Sequence, residues 1–300
     1  MTGWRDHLEG EFAVDVGHLD RALGLTLQER AYVEALVDPR GPLFQRLEYV
    51  GDALLDAVLL PSLVLVEPWT GTDLSVVSDE QQSLVSGHAL GRVAGRRGLP
   101  DVRAFAASVH RLGDRIEAAI GAAWADAGLE AAEEVATRLV VGPGLSGLAR
   151  WAGAPGAGGD VRYEAASRAC GHEPGIVGWY GAAASGGAAR RRLAMVGNAV
   201  LEAAFSTAQY VDSPWASEAE MSEERRAATS NALLAARAHD LHLVTGGDPT
   251  DRRSVADEVQ ALVGAATMDG GTRAGLEVAS GVLRRTFAPG PVDAALRPGT

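Results

Sequence analysis

The chain has 300 residues, of which 47% are hydrophobic and 22% are charged. This balance is typical of a chain that buries a core, and it excludes disordered and collagen-like proteins. The formal net charge is −12, and all 27 basic residues are arginine, so the overall charge disfavours a partner that is a polyanion. The single cysteine, Cys170, excludes an intramolecular disulfide.

Neither a signal peptide nor a membrane span is predicted. Residues 1–15 lack a basic stretch followed by an apolar segment. The longest apolar stretch, residues 54–66, contains Asp56 and Pro61, and it is shorter than the roughly 20 residues that a membrane span needs. We therefore expect a cytoplasmic protein with no membrane partner, in which this stretch forms a buried helix.

Apolar residues at helical spacing recur along most of the chain, from Leu19 to about Val140 and from Ala165 to about Phe287. The pattern predicts an all-α protein. Residues 141–160 are rich in Gly and Pro and predict a linker between a domain at 1–140 and a second domain at 161–287. Residues 288–300 predict a loose tail.

An internal repeat relates the two predicted domains. Residues 46–55 (RLEYVGDALL) line up with 192–201 (RLAMVGNAVL), and 114–123 (DRIEAAIGAA) line up with 257–266 (DEVQALVGAA). Two shorter matches, 21–24 with 168–171 and 89–90 with 232–233, keep the same order at a nearly constant offset. The sequence therefore predicts a duplicated helical domain.

Two pairs of acidic residues in the first copy have helical spacing. Glu48 and Asp52 are four residues apart, and Asp114 and Glu117 are three apart, so each pair shares one helix face. An acidic pair is often only part of a solvated face, but apolar and small residues flank both pairs and favour burial. If the two faces pack together, four carboxylates repel one another unless a hard cation lies between them. An oxygen-only ligand set suits Mg²⁺ or Mn²⁺.

These segments match a known pattern. Residues 46–54 (RLEYVGDAL) resemble the signature of the ribonuclease III family, and residues 113–122 (GDRIEAAIGA), with Asp126-Ala-Gly downstream, resemble its second acidic motif. Residues 84–94 (LVSGHALGRVA) resemble the helix between them. The three segments follow one another in the order and spacing of the family.

The resemblance implies an all-helical endonuclease domain that cuts double-stranded RNA with Mg²⁺. In it, the metal-binding catalytic carboxylates correspond to Glu48, Asp52, Asp114 and Glu117. Gln45 stands where many members have a glutamate, and His88 where an asparagine is usual. Because neither is a metal position, these departures concern substrate handling.

The second copy resembles the same domain without its chemistry. Ala194 and Asn198 replace the first two acids and Gln260 replaces the last, so only Asp257 is kept. Glu258 cannot substitute, because one step along a helix turns it by roughly 100°. We therefore expect a catalytically silent second domain.

Since ribonuclease III domains work as dimers, the resemblance implies that the tandem domains pair within one chain. The expected product is an intramolecular pseudo-dimer with one working site, which nicks one strand of a duplex per binding event. A homodimer of two chains, pairing intact with intact domains, would instead restore two sites.

Two other functions stay open on the sequence. An acidic chain in which no basic RNA-binding segment follows residue 287 could use the same fold and carboxylates on a small molecule. The tandem domains could also form a non-catalytic scaffold that binds RNA, although the intact acidic quartet disfavours this. Any binding of double-stranded RNA is expected to be weak and salt-sensitive.

Overall fold

A computed structural model describes residues 3–12, 14–39, 41–66, 74–99, 109–141, 158–244 and 251–286. These residues form helices and connecting turns, and no strand occurs among them. The all-α prediction is confirmed. The predicted tail at 288–300 and most of the predicted linker at 141–160 lie outside the described residues.

The first half of the chain, up to residue 141, contains eight described helices followed by a π-helical turn at Thr137–Val141. The helices are α1 (Gly3–Phe12), α2 (Val16–Leu23), α3 (Arg30–Val37), α4 (Pro42–Val66), α5 (Leu74–Val85), α6 (Gly87–Arg97), α7 (Val109–Ala127) and α8 (Leu129–Ala136).

The second half, from residue 158, has six described helices. They are α9 (Val161–Ala169), α10 (Gly178–Ala184), α11 (Gly187–Asp212), α12 (Glu218–Ala228), α13 (Asn231–Asp240) and α14 (Arg252–Leu283), the last of which breaks at Gly271.

Several of these helices begin where a short polar side chain caps the first turn. The Ser86 hydroxyl accepts from the backbone N–H of Ala89 at the start of α6. At the start of α12, Ser217 and Glu220 each accept from the other's backbone N–H, which forms a capping box. Such caps satisfy N–H groups that have no partner within the helix.

The centre of the first half is a close crossing of α4 and α7. A Cβ atom built on Gly51 would overlap the carbonyl oxygen of Glu117, and one built on Gly121 would overlap that of Leu47. Only glycine allows the two backbones to approach this closely. The apolar stretch 54–66 lies in α4, and the described part of it is mostly buried, as predicted.

The same crossing recurs between α11 and α14 in the second half. Here a Cβ on Gly197 would overlap the carbonyl oxygen of Gln260, and one on Gly264 would overlap that of Leu193. These glycines align with Gly51 and Gly121 in the repeat. The two halves are therefore built on one helix crossing.

The two halves pack against each other through α4 and α11. Arg46 of α4 is buried and donates hydrogen bonds to the carbonyl oxygens of Tyr210, Ser213 and Ala216, at 2.7 to 3.1 Å. Its guanidinium also stacks over the Tyr210 ring, whose edge meets Trp124 of the first half. A buried arginine with several carbonyl partners makes this contact specific in position.

Among the helices that the structure describes, none is long and apolar enough to cross a lipid bilayer.

Candidate metal centre

The acidic residues of the first half lie where α4 and α7 cross. Glu48 and Asp52 occupy successive turns of α4, and Asp114 and Glu117 occupy one face of α7. Because the glycines at the crossing bring the two backbones into contact, the carboxylates of the two helices lie close together. The small residues beside the acids in the sequence thus allow the close helix crossing that brings the carboxylates together.

Three of the four predicted residues meet in this structure. Carboxylate oxygens of Glu48, Asp114 and Glu117 all lie within 4.8 Å of one another. All three side chains are half-buried rather than fully solvated. We call this group the acidic triad.

Asp52 is not part of that triad. Its side chain is 51% exposed, and its Oδ2 lies 3.9 Å from Nη1 of Arg225, which belongs to α12 of the second half. The fourth predicted carboxylate therefore faces a cation that the other half of the chain supplies.

The electrostatics of the triad favour bound positive charge. Burial raises the pKa of Glu117 to about 9, and the charges of Asp52, Glu48 and Asp114 add to the increase. The pKa of Glu48 rises to about 7, first through burial and then through Asp114 and Glu218. Both groups are expensive to ionise together unless a cation offsets their charge.

The donor set fits a hard divalent cation. The triad offers only carboxylate oxygens, which Mg²⁺ and Mn²⁺ prefer, and it offers no sulfur or imidazole ligand of the kind that selects zinc. A cation bound between the carboxylates of the triad would offset the repulsion of their ionised forms at this short distance.

A further acid, Asp56, lies one turn beyond Asp52 on α4 and was not among the predicted ligands. Gln81 of α5 donates a hydrogen bond of 2.8 Å to its Oδ1, and burial raises its pKa to about 6. Its spacing of four residues from Asp52 was the signal that could have identified it. The approach of Arg225 had no such local signal.

The aligned position in the second half holds a chain of amides. Nε2 of Gln260 donates to Oδ1 of Asn198 at 2.9 Å, and Nδ2 of Asn198 donates to Oε1 of Glu202 at 3.0 Å. Ala194, at the position of Glu48, is buried and offers no ligand. In the described part of this half, no group of three acids meets as the triad does.

The remaining acids of α14 have other neighbours. Glu258 contacts the hydroxyl of Tyr163 and the guanidinium of Arg190, so it acts within the packing of the second half. Burial raises the pKa of Asp257, and the nearby charges of Arg253 and Arg190 oppose part of that rise.

The arginine cluster at 190–192 is largely engaged within the protein. Arg190 donates to the carbonyl oxygens of Ala183 and Ala184, and Arg192 is fully buried. Arg191 is exposed, and so is Arg226, which lies outside this cluster. Most of this cluster therefore does not form a surface for phosphate.

Comparison with known proteins identifies the fold. Two crystal structures of Dicer from Giardia intestinalis are similar to this chain, with TM-scores of 0.56 and 0.57 and 14% sequence identity. The match covers 84% and 82% of this chain, which spans about half of the Dicer chains (56% and 55%). No family model and no curated protein matches the sequence. The chain thus has the all-helical ribonuclease III-type fold seen in Dicer.

Proposed function

We propose that this protein is an endoribonuclease that cuts double-stranded RNA with the help of a divalent cation. The observation that carries the proposal is the meeting of Glu48, Asp114 and Glu117 at the central helix crossing of a fold shared with Dicer. The reaction is hydrolysis of a phosphodiester bond.

The cation, Mg²⁺ or Mn²⁺, would be held by Glu48, Asp114 and Glu117, with Asp52 as the fourth ligand. When bound, such an ion supplies an activated water for attack on phosphorus and stabilises the oxygen that leaves. The residues of this chain bind and orient it.

The carboxylates also control protons at the site. Glu117 and Glu48 have pKa values raised to about 9 and about 7, so in the cation-free chain they retain protons near neutral pH. Both must be ionised to serve as ligands, and cation binding therefore releases protons. We expect the reaction to become faster as the pH rises through this range.

We further propose that residues 1–140 and 161–287 are two ribonuclease III-like domains, joined by a linker at 141–160, that pair as an intramolecular pseudo-dimer. The packing of α4 on α11 and the contacts of Arg46 support this pairing. One domain holds the acids and the other holds Asn198 and Gln260, so each binding event cuts a single strand.

Double-stranded RNA is the proposed substrate because the fold is that of Dicer. The net charge of −12 opposes the approach of a polyanion, so binding is expected to be weak and to weaken further with salt. The alternatives of small-molecule chemistry and of a non-catalytic scaffold are tested by the same assay.

The test is cleavage of a long end-labelled RNA duplex at low salt with Mg²⁺, by the native chain and by Glu117→Gln. We expect nicks rather than double-strand breaks, and a loss of about 1000-fold in the variant, since a ligand that offsets the charge of the cation is gone. The matched control is Glu134→Gln, an exposed acid on α8, which should cut like the native chain.

Chelation of the divalent cation should abolish cutting by every variant. A folded native chain that leaves the duplex intact at high protein concentration with Mg²⁺ or Mn²⁺ would overturn the proposal. Equal cutting by the native chain and Glu117→Gln would show that the triad is not the site.

A further inference from the structure

Arg225 connects the second half to the acids of the first. Its guanidinium lies over the ring of Tyr49, with Cζ 4.6 Å from the ring centroid, and its Nη1 lies 3.9 Å from Oδ2 of Asp52. Nη1 also donates to Oγ of Ser206 at 3.4 Å. Only 19% of the arginine side chain is exposed, so the charge is held against the site rather than displayed to solvent.

Hydrogen bonds to the second half fix the Tyr49 ring beneath Arg225. The Tyr49 hydroxyl lies 2.9 Å from Oε1 of Gln209 and 3.0 Å from the carbonyl oxygen of Met221. Nε2 of Gln209 in turn donates to Glu224 at 2.8 Å. The ring that carries the guanidinium is therefore oriented before any ligand arrives.

This arrangement does not exist on the silent side of the molecule. In the repeat, Met195 aligns with Tyr49, and Gln81 lies at the position of Arg225 when the helix caps Ser86 and Ser230 are matched, so neither the aromatic platform nor the cation is present there. Asn198, which aligns with Asp52, binds Glu202 and Gln260 instead. The arginine is thus placed only over the half that holds the acidic triad.

Asp52 is also the one predicted ligand that stands outside the triad. An arginine beside it neutralises the carboxylate and repels a divalent ion bound nearby. The contact therefore competes with the cation for Asp52.

Resting on the proposed function, we infer that Arg225 is a positioning residue: in the cation-free chain it holds the Asp52 carboxylate and competes with the divalent cation for it. Docking of the second half thereby sets the affinity of the site for the divalent cation. The second half contributes to the site without holding the cation itself.

The test is a titration of the full chain with Mn²⁺, followed by electron paramagnetic resonance of the free ion. We expect Arg225→Gln to bind Mn²⁺ about 10-fold more tightly than the native chain, because a competing positive charge is removed. Arg225→Lys keeps the positive charge and should stay closer to native than Arg225→Gln does. Arg226→Gln makes the same change of net charge at an exposed neighbour and should also stay within about 2-fold.

A double-mutant cycle with Asp52→Asn separates competition for Asp52 from a general effect of charge. In the Asp52→Asn background, we expect Arg225→Gln to change the affinity by less than about 3-fold. Arg225→Met keeps an apolar contact with Tyr49, so it repeats the test if Arg225→Gln does not fold.

The outcomes distinguish this inference from the proposed function. The inference is overturned if Arg225→Gln binds Mn²⁺ no more tightly than Arg226→Gln. It is also overturned if Arg225→Gln raises the Mn²⁺ affinity as much in the Asp52→Asn background as in the native chain. Neither result bears on whether the native chain cuts RNA. If the native chain binds Mn²⁺ but does not cut RNA, the proposed function fails and the titration still decides the role of Arg225. A native chain that binds no Mn²⁺ overturns both.

Discussion

The two halves of the molecule share a helix crossing and differ in what lies on it. In the first half, the contact of Gly51 with the Glu117 carbonyl brings three carboxylates within 4.8 Å. In the second half, Gly197 makes the same contact with Gln260, and amides form hydrogen bonds where the acids would stand. The backbone geometry of this fold is therefore independent of the chemistry it can support.

Other structural positions are kept in both halves as well. The carboxylate of Asp126 accepts from the backbone N–H groups of Gln28 and Glu29, at 2.8 and 2.9 Å. The aligned Asp269 accepts from those of Gly175 and Ile176, at 2.8 and 2.6 Å. An acid in a motif can thus hold a loop rather than a cation.

A glycine with positive φ follows each of these aspartates. Gly128 has a φ of 91° and Gly271 a φ of 81°, and each interrupts the helical path. Such a backbone conformation strains other residues, so both halves need glycine at this break. The residues that the two halves share, such as these aspartates and glycines, therefore maintain the fold, whereas the residues that differ determine the chemistry of the site.

The largest expected effect tests the shared crossing. Gly51→Ala and Gly197→Ala should each lower the free energy of unfolding by about 3 kcal/mol or more, because the new Cβ would overlap a backbone oxygen. Urea denaturation followed by circular dichroism measures this. Gly95→Ala on α6, where a Cβ meets nothing within 4 Å, is the control and should be neutral or stabilising. A strong effect in only one half would show that the two crossings do not contribute equally to stability.

The next effect tests the amides of the second half. In the cation-free chain at about pH 8, Asn198→Asp with Gln260→Glu should lower the free energy of unfolding by about 2 to 3 kcal/mol, because hydrogen bonds are replaced by like charges beside Glu202. Denaturation at about pH 5, where the new acids are partly protonated, should show a smaller loss. A loss that does not depend on pH would point to packing instead of charge.

Removing an acid from the first half, by Glu117→Gln, should stabilise the cation-free chain at high pH. Burial and like charges raise the pKa of Glu117 to about 9, so the native chain holds more protons than the unfolded chain below this pH. The free energy of unfolding of the cation-free chain should therefore fall as the pH rises from about 5 to about 9. Glu117→Gln should recover about 1 to 2 kcal/mol at the upper end and flatten the slope.

Denaturation curves across that pH range, recorded with a chelator, give the slope for both chains. Asp126→Asn is the control, because the Asp126 carboxylate accepts hydrogen bonds from backbone N–H groups. Its loss should lower the free energy of unfolding instead of raising it. Identical slopes for the native chain and Glu117→Gln would contradict the prediction.

The smallest expected effect lies at the rim between the halves. Arg273 of α14 forms an ion pair with Glu130 of α8, and both side chains are substantially exposed. Arg273→Gln should cost about 0.5 kcal/mol or less, and about 1 M salt should remove the difference. A larger cost measured by urea denaturation would mean that this pair, rather than Arg46, carries the contact between the halves.

Much of the fold was predictable from local patterns. Helical spacing of apolar residues predicted the all-α chain, and the alignment of residues 46–55 with 192–201 pairs Gly51 with Gly197, which make matching backbone contacts in the structure. Helices form from neighbouring residues, so their signals lie within short windows of sequence.

The candidate site was predictable in part for the same reason. Residues three or four apart share a helix face, so the pairs Glu48 with Asp52 and Asp114 with Glu117 could be identified before any packing was known. The repeat likewise showed that Ala194, Asn198 and Gln260 replace three of these acids in the second copy. The structure then brought Glu48, Asp114 and Glu117 together.

Local patterns in the sequence predicted the helices and the repeat, and they showed which half carries the acids, because these features depend on residue type at short spacing. The contact of Asp52 with Arg225, and the hydrogen bonds of Arg46 to carbonyl groups of the other half, are visible only in the folded chain. These contacts join residues from opposite halves of the chain, and nothing in local spacing encodes them. They depend on how α4 and α11 pack, and that packing is a property of the whole folded chain.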